Sequence, residues 1–92
     1  MGQARLRSYI LKDTKANVHT LPMYVDNDDV AIRSVVYAAL NDKEAPVHKF
    51  PEDFILFFNG YYCRLEGRYY PEDSVCLGKV LDLISNYRSS DV

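Results

Sequence analysis

Three short stretches of this chain place an arginine two residues from a tyrosine: Arg5-x-Arg7-x-Tyr9, Tyr62-x-Arg64 and Arg68-x-Tyr70. Side chains two apart on an extended strand share a face, so each stretch would present a guanidinium beside a phenol. A guanidinium neutralises phosphate, and a tyrosine ring stacks on an unpaired base for about 1–3 kcal/mol. Lys12 adds a cation to the first stretch. Arg5, Arg7, Tyr9, Lys12, Tyr62, Arg64, Arg68 and Tyr70 are therefore the candidate contacts to single-stranded nucleic acid. Plainer readings stand beside this one. Tyrosine favours strands, alternating Arg and Tyr also makes a solvated sheet face, and protein interfaces are enriched in both.

These side chains need strands to carry them. Residues 5–12 (RLRSYILK) read as one, with Leu6 and Ile10 on the side opposite Arg7, Tyr9 and Leu11. Pro22 excludes a central strand at its own position, and Met23–Val25 can follow as a short extended piece. Residues 54–64 (FILFFNGYYCR) read as a long strand with Phe54, Leu56 and Phe58 on one face and Ile55 and Phe57 on the other. Glu66-Gly67 suits the turn into a return strand over 68–71, with Gly60 as a bulge. Asn59-Gly60 is a competing turn that would leave very short arms.

The clearest element is a helix over about residues 27–41. Asp26 is expected to cap it, Asp29 to complete a capping box, and Val25 with Val30 to form a hydrophobic staple. Ile32, Val35, Val36, Ala39 and Leu40 then mark one buried face. The tail is ambiguous between strand and helix, because Gly78 interrupts it, and residues 88–92 are expected to be loose. The fold class is α+β: a small antiparallel sheet packed on one main helix, forming a single domain over residues 1–92. Because the long strand is apolar on both faces and one helix covers only one of them, a homodimer is expected.

Composition narrows the function. The 92 residues, 48% hydrophobic and 26% charged, can bury about 64% of their extended surface, enough for one core but not for a deep substrate cavity. A net charge of −2 excludes a strongly basic DNA binder, yet residues 1–15 carry Arg5, Arg7, Lys12 and Lys15 against Asp13 alone. Cys63, Cys76, His19 and His48 lack the close ligand pairs of a zinc site, and no metal or other cofactor is expected. No P-loop, dinucleotide fingerprint or nucleophile elbow is present, and the paired acids Glu52-Asp53 and Glu72-Asp73 would point to opposite faces. The chain is expected not to be an enzyme. No apolar run reaches membrane-spanning length, and the N-terminal residues lack the apolar stretch of a signal peptide, so a cytoplasmic location is expected.

A longer pattern joins these pieces. Lys12-Asp13, Ala16, Pro22-x-Tyr24, Asn27-Asp28-x-x-Ala31-x-Arg33 and Asn41-Asp42 are followed by Pro51-Glu52-Asp53-Phe54-x-Leu56, Gly60-x-Tyr62 and Gly67-Arg68. In order and spacing this resembles the small nonstructural protein of gokushovirus-type microviruses (Microviridae), phages with circular single-stranded DNA genomes, over roughly residues 9–70. Family members usually carry an acidic, Thr-Gly-ended turn where this chain has Cys63-Arg64-Leu65-Glu66-Gly67, and the N-terminal extension and tail match less well. The resemblance implies a non-virion replication protein of the host bacterial cytoplasm, assigned to the switch towards single-stranded DNA synthesis, and brings no enzymatic residues. On that footing the partner of the Arg/Tyr strands is single-stranded DNA. The alternative is an interaction module docking on the phage replication initiator or a host replication protein. Arg33 reads as either a structural ion-pair residue or a contact residue.

Overall fold

The computed structural model describes residues 4–90. Nine elements follow in chain order: β1 (Arg5–Asp13), β2 (Val18–His19), β3 (Met23–Val25), α1 (Asp28–Asn41), the single turn α2 (Pro46–Lys49), a 3-10 turn (Pro51–Asp53), β4 (Phe54–Cys63), β5 (Arg68–Lys79) and α3 (Val80–Ser90). The strands form one antiparallel five-stranded sheet in the order β2-β1-β4-β5, with β3 also paired to β1. β2 and β3 thus share the outer edge of β1 end to end, opposite Lys12–Asp13 and Arg7–Tyr9. The fold is α+β, with a second long helix in the tail.

The helices form one layer. α1 packs on α2 and α3, and α3 on β4 and β5. Tyr9, Phe54, Leu56 and Phe58 from the sheet meet Ala31, Val35, Val36, Ala39, Val80 and Leu83 from α1 and α3. The expected α1 face is buried in this way, with Ile32 and Leu40 half-buried at its border. The thinnest dimension, 23 Å, is that of one sheet and one helix layer.

The start of α1 differs from expectation. Asn27, in extended backbone, is the cap, and its Oδ1 accepts from Val30 N at 2.9 Å. This moves the cap one residue on from Asp26 and removes the Val25–Val30 staple; Val30 lies exposed on the helix surface. The carboxylate of Asp28, the first helical residue, reaches across to Arg7 and Tyr9 of the sheet.

β5 is three times the expected length because it crosses Pro71-Glu72-Asp73 without ending. It does so by bulging: Gly60 faces Pro71 while Phe58 faces Val75, so the strand carries surplus residues there. Gly78, next to its last residue, has φ +137°, with Leu83 of α3 packed over the missing side chain. α3 then runs to Ser90, and of the expected loose tail residues 91–92 lie outside the described residues. Among the described residues no helix is long and apolar enough to cross a membrane.

Candidate nucleic-acid interface

The hairpin turn sits at residues 64–67, where Gly67 at φ +66° donates its N–H to Cys63 O at 2.8 Å. The Asn59-Gly60 turn does not form. Gly60 is instead the bulge of β4, and both neighbouring strands shift register beside it. A bulge reverses the alternation of side chains beyond it. Phe58 and Tyr61, three residues apart, therefore stand on the same face with ring centroids 5.3 Å apart.

Directly opposed residues share a face, so the register assembles two rows on the helix side of the hairpin end. Arg5, Cys63 and Arg68 form the outer row, and Arg7, Tyr61 and Tyr70 the inner one. The guanidinium of Arg5 lies 4.2 Å from the centre of the Tyr61 ring, and that of Arg68 lies 5.2 Å from Tyr70. Arg64 follows in the turn, with its backbone N–H donated to Ala4 O at 2.7 Å. A shallow cleft of about 250 Å³ opens between Arg5, Cys63, Glu66 and Tyr70. The Tyr70 hydroxyl donates to Glu66, and this bond holds the phenol protonated above its ordinary range.

The inner arginine is tied down. Arg7 Nε donates to Tyr9 Oη at 2.8 Å and to Asp28 Oδ1 at 3.1 Å, and its Nη2 pairs with the same carboxylate oxygen at 3.1 Å. Its Nη1 reaches Tyr61 Oη at 3.4 Å, while the guanidinium plane lies 4.0 Å from the centre of the Phe58 ring. Burial works against the charge, but the Tyr9 and Tyr61 phenols and Asp28 outweigh it, so Arg7 stays above its usual pKa. The Tyr9 hydroxyl donates to Asp28. This triad ties the α1 start to β1.

The structure thus brings Arg5, Arg7, Arg68 and Tyr70 together on one face. Tyr9 joins them in sequence alternation but is 0% exposed, and a ring with no accessible surface cannot stack on a base. It leaves the set of contacts and serves the core. Lys12 and Tyr62 lie on the opposite face: Lys12 is opposite Ile55, and Tyr62 packs 5.3 Å from Tyr24 of β3. The three Arg/Tyr pairs therefore do not make one surface. Tyr61, absent from the candidates, takes the place expected of Tyr62. Its signal was Gly60, since a bulge there implies the change of face.

Tyr9 has a measurable signature. Burial first, and the hydrogen bond to Asp28 second, push its phenol up to about 12 despite the opposing Arg7. The unfolded phenol titrates near 10, so between about pH 10 and 12 the unfolded state loses a proton that the folded state keeps. Stability is full below pH 10 and falls as pH rises through that window, by up to about 2–3 kcal/mol. Urea midpoints measured from pH 9 to 12 should show this alkaline decline, and Tyr9→Phe should flatten it.

Elsewhere, Arg33 is exposed on α1 and lines an open cleft of about 600 Å³ with Val30, Ser34, Tyr37 and Tyr87. Among the described residues it makes no salt bridge. Also among the described residues, no three His, Cys, Asp or Glu side chains gather as a metal site.

Residues 6–83 match the family model described as Phage ORF5 protein. The chain belongs to this phage protein family. No curated protein and no solved structure matches it. In this ORF5-family chain the matched span covers the sheet from Leu6 onward, α1 and the first turn of α3, and so includes every residue of the Arg/Tyr cluster except Arg5.

Proposed function

We propose that this phage protein is a non-enzymatic accessory of genome replication that binds single-stranded DNA at the hairpin end of its sheet. The observation that carries the reading is the pair of guanidinium–tyrosine stacks, Arg5 on Tyr61 and Arg68 on Tyr70, set side by side across three strands. A stacked arginine keeps its N–H edge free for phosphate, and the rings beside it give bases a flat neighbour. Arg64 extends the cationic rim along the turn. The resemblance to the small nonstructural proteins of gokushovirus-type microviruses supplies the replication context and the single-stranded partner.

The test is binding of a fluorescent oligonucleotide over a salt series. Wild-type protein should bind with an affinity that falls as salt rises. Changing Arg5, Arg64 and Arg68 together to alanine should reduce the log–log slope by about 2 and weaken binding at least about tenfold near 0.1 M salt. Arg7 is left intact because its loss would unpair Asp28. Absence of binding at low salt sinks this reading.

That outcome would favour the second reading, an interaction module docking on the phage replication initiator or a host replication protein. The specific support for it is the α1–α3 cleft, where Tyr37 is 60% exposed beside Arg33 and Tyr87.

A further inference from the structure

The helix layer covers one side of the sheet, and the register lays out what stands on the other. Lys12, Ile55 and Lys79 form one row across β1, β4 and β5, and Ile10, Phe57 and Cys76 the next. A row of Ser8, Gly60 and Pro71 follows, with Ser8 buried, and Leu6, Tyr62 and Tyr69 form the row nearest the hairpin turn, with Tyr24 of β3 against Tyr62. Leu6, Ile10, Ile55, Phe57 and Tyr62 are not among the side chains packed on the core, and each remains partly open to solvent. A contiguous apolar and aromatic face of this kind on a small protein marks an association surface.

We infer that this face pairs with the same face of a second copy, making a four-layer helix–sheet–sheet–helix dimer. Three observations select that occupant. The first is area. Four strand positions about 4.8 Å apart and about seven residues at 3.3 Å rise make a flat face of roughly 450 Å², so a pair buries about 1,000 Å² with side-chain relief. That is the lower bound for specific association and predicts a micromolar dimer.

The second is charge. The lysine row lies at one end and the tyrosine row at the other, with no acidic side chain in the four rows. A two-fold axis in the interface, running across the strands, sets each lysine row over the partner's tyrosine row. Lys79 then lies over the partner's Tyr69 in cation–π geometry and Lys12 over the partner's Leu6, whereas the opposite alignment would press four lysines together. The third is that the competing route, edge-to-edge pairing through β5, is obstructed. Pro71, the bulge and the exposed acids Glu72 and Asp73 interrupt that edge, a known device against strand addition. In this arrangement Lys12 and Tyr62 serve the dimer, while the Arg5/Arg68 surface faces away and stays open.

Sedimentation equilibrium from 1 to 200 µM tests the inference. Wild-type protein should pass reversibly from the 10.6 kDa monomer to dimer within that range. Phe57→Lys should remain monomeric throughout with an unchanged circular dichroism spectrum, while Phe50→Lys, off this face, should dimerise normally. Cys76 lies near the two-fold axis, so a short bis-maleimide should link two copies through it, and Cys76→Ser should abolish the link. The crosslink keeps the test alive should Phe57→Lys fail to fold. A wild-type monomer at 200 µM overturns the inference, and so does a dimer that Cys76 cannot link. Wild-type monomer whose oligonucleotide binding is lost in Phe57→Lys would assign the face to nucleic acid instead. The arginine triple variant should still dimerise, so failure of the DNA reading and failure of the dimer are separately visible.

Discussion

Replacing Gly60 with alanine is expected to destabilise the fold by about 3–5 kcal/mol, read as a lowered urea midpoint at constant slope. Gly60 has φ +151°, and an added Cβ would lie 2.5 Å from the Tyr70 carbonyl oxygen and 2.7 Å from the Tyr69 hydroxyl. The carbonyl is backbone within the β4–β5 ladder, so it cannot move without opening the hairpin. The Tyr69 ring is held in turn by its hydroxyl, which donates to Asn59 O at 2.6 Å. Gly67→Ala is the control: it has φ +66° but nothing within 4 Å, so only the left-handed backbone cost of about 1 kcal/mol is expected. A Gly60→Ala protein as stable as Gly67→Ala would contradict the described bulge.

The second large effect is expected at Leu56, where truncation to alanine should cost about 3–5 kcal/mol, the upper part of the usual range. Leu56 is 0% exposed and stands between Leu11 and Gly78 in the sheet. Gly78 has no side chain to move into the vacated space, and the Leu83 side chain above it is already in contact there. The cavity therefore stays open. Phe57→Ala, one residue along, removes a larger side chain from the other face and should cost less than about 1.5 kcal/mol in the monomer, measured in the same titration below 5 µM. Equal losses at the two positions would contradict the two-sided description of β4.

How far these features could be read in advance depended on how local their causes are. The α1 face was readable because Ile32, Val35, Val36, Ala39 and Leu40 repeat with the helical period, and that period survives any packing. Its cap was displaced by one residue because Asp26, Asn27 and Asp28 are all competent caps. The chain enters the helix after Asn27, and Asp28, its first residue, gives its carboxylate to Arg7 and Tyr9. β5 was underestimated because Pro71-Glu72-Asp73 has the composition of a turn, and only pairing with β4 keeps that segment in the sheet.

The binding cluster was partly readable for a related reason. Alternation places Arg5 with Arg7 and Arg68 with Tyr70 correctly as long as each strand is regular. It failed at Tyr62 because the bulge at Gly60 exchanges the faces of Tyr61 and Tyr62. It failed differently at Tyr9, whose phenol looks like a surface group in sequence but is enclosed once Asp28 supplies an acceptor for its hydroxyl. Lys12 and Tyr62, set apart from the arginines by the same geometry, are more informative as members of the uncovered face.

The place of β1 within the sheet also governs the order in which the protein can assemble. Of the described strands β1 leaves the ribosome first, yet its longest pairing is with β4, Arg5 meeting Cys63 and Asp13 meeting Phe54. At about 5–20 residues per second several seconds separate the synthesis of the two strands. α1, closed by its own cap, and the short pairings of β1 with β2 and β3 can form in that interval; the β1–β4 pairing at the centre of the sheet cannot. Leu6 and Ile10 spend the wait exposed, and the flanking charges of Arg5, Arg7 and Lys12 are then the gatekeepers that discourage pairing between nascent chains.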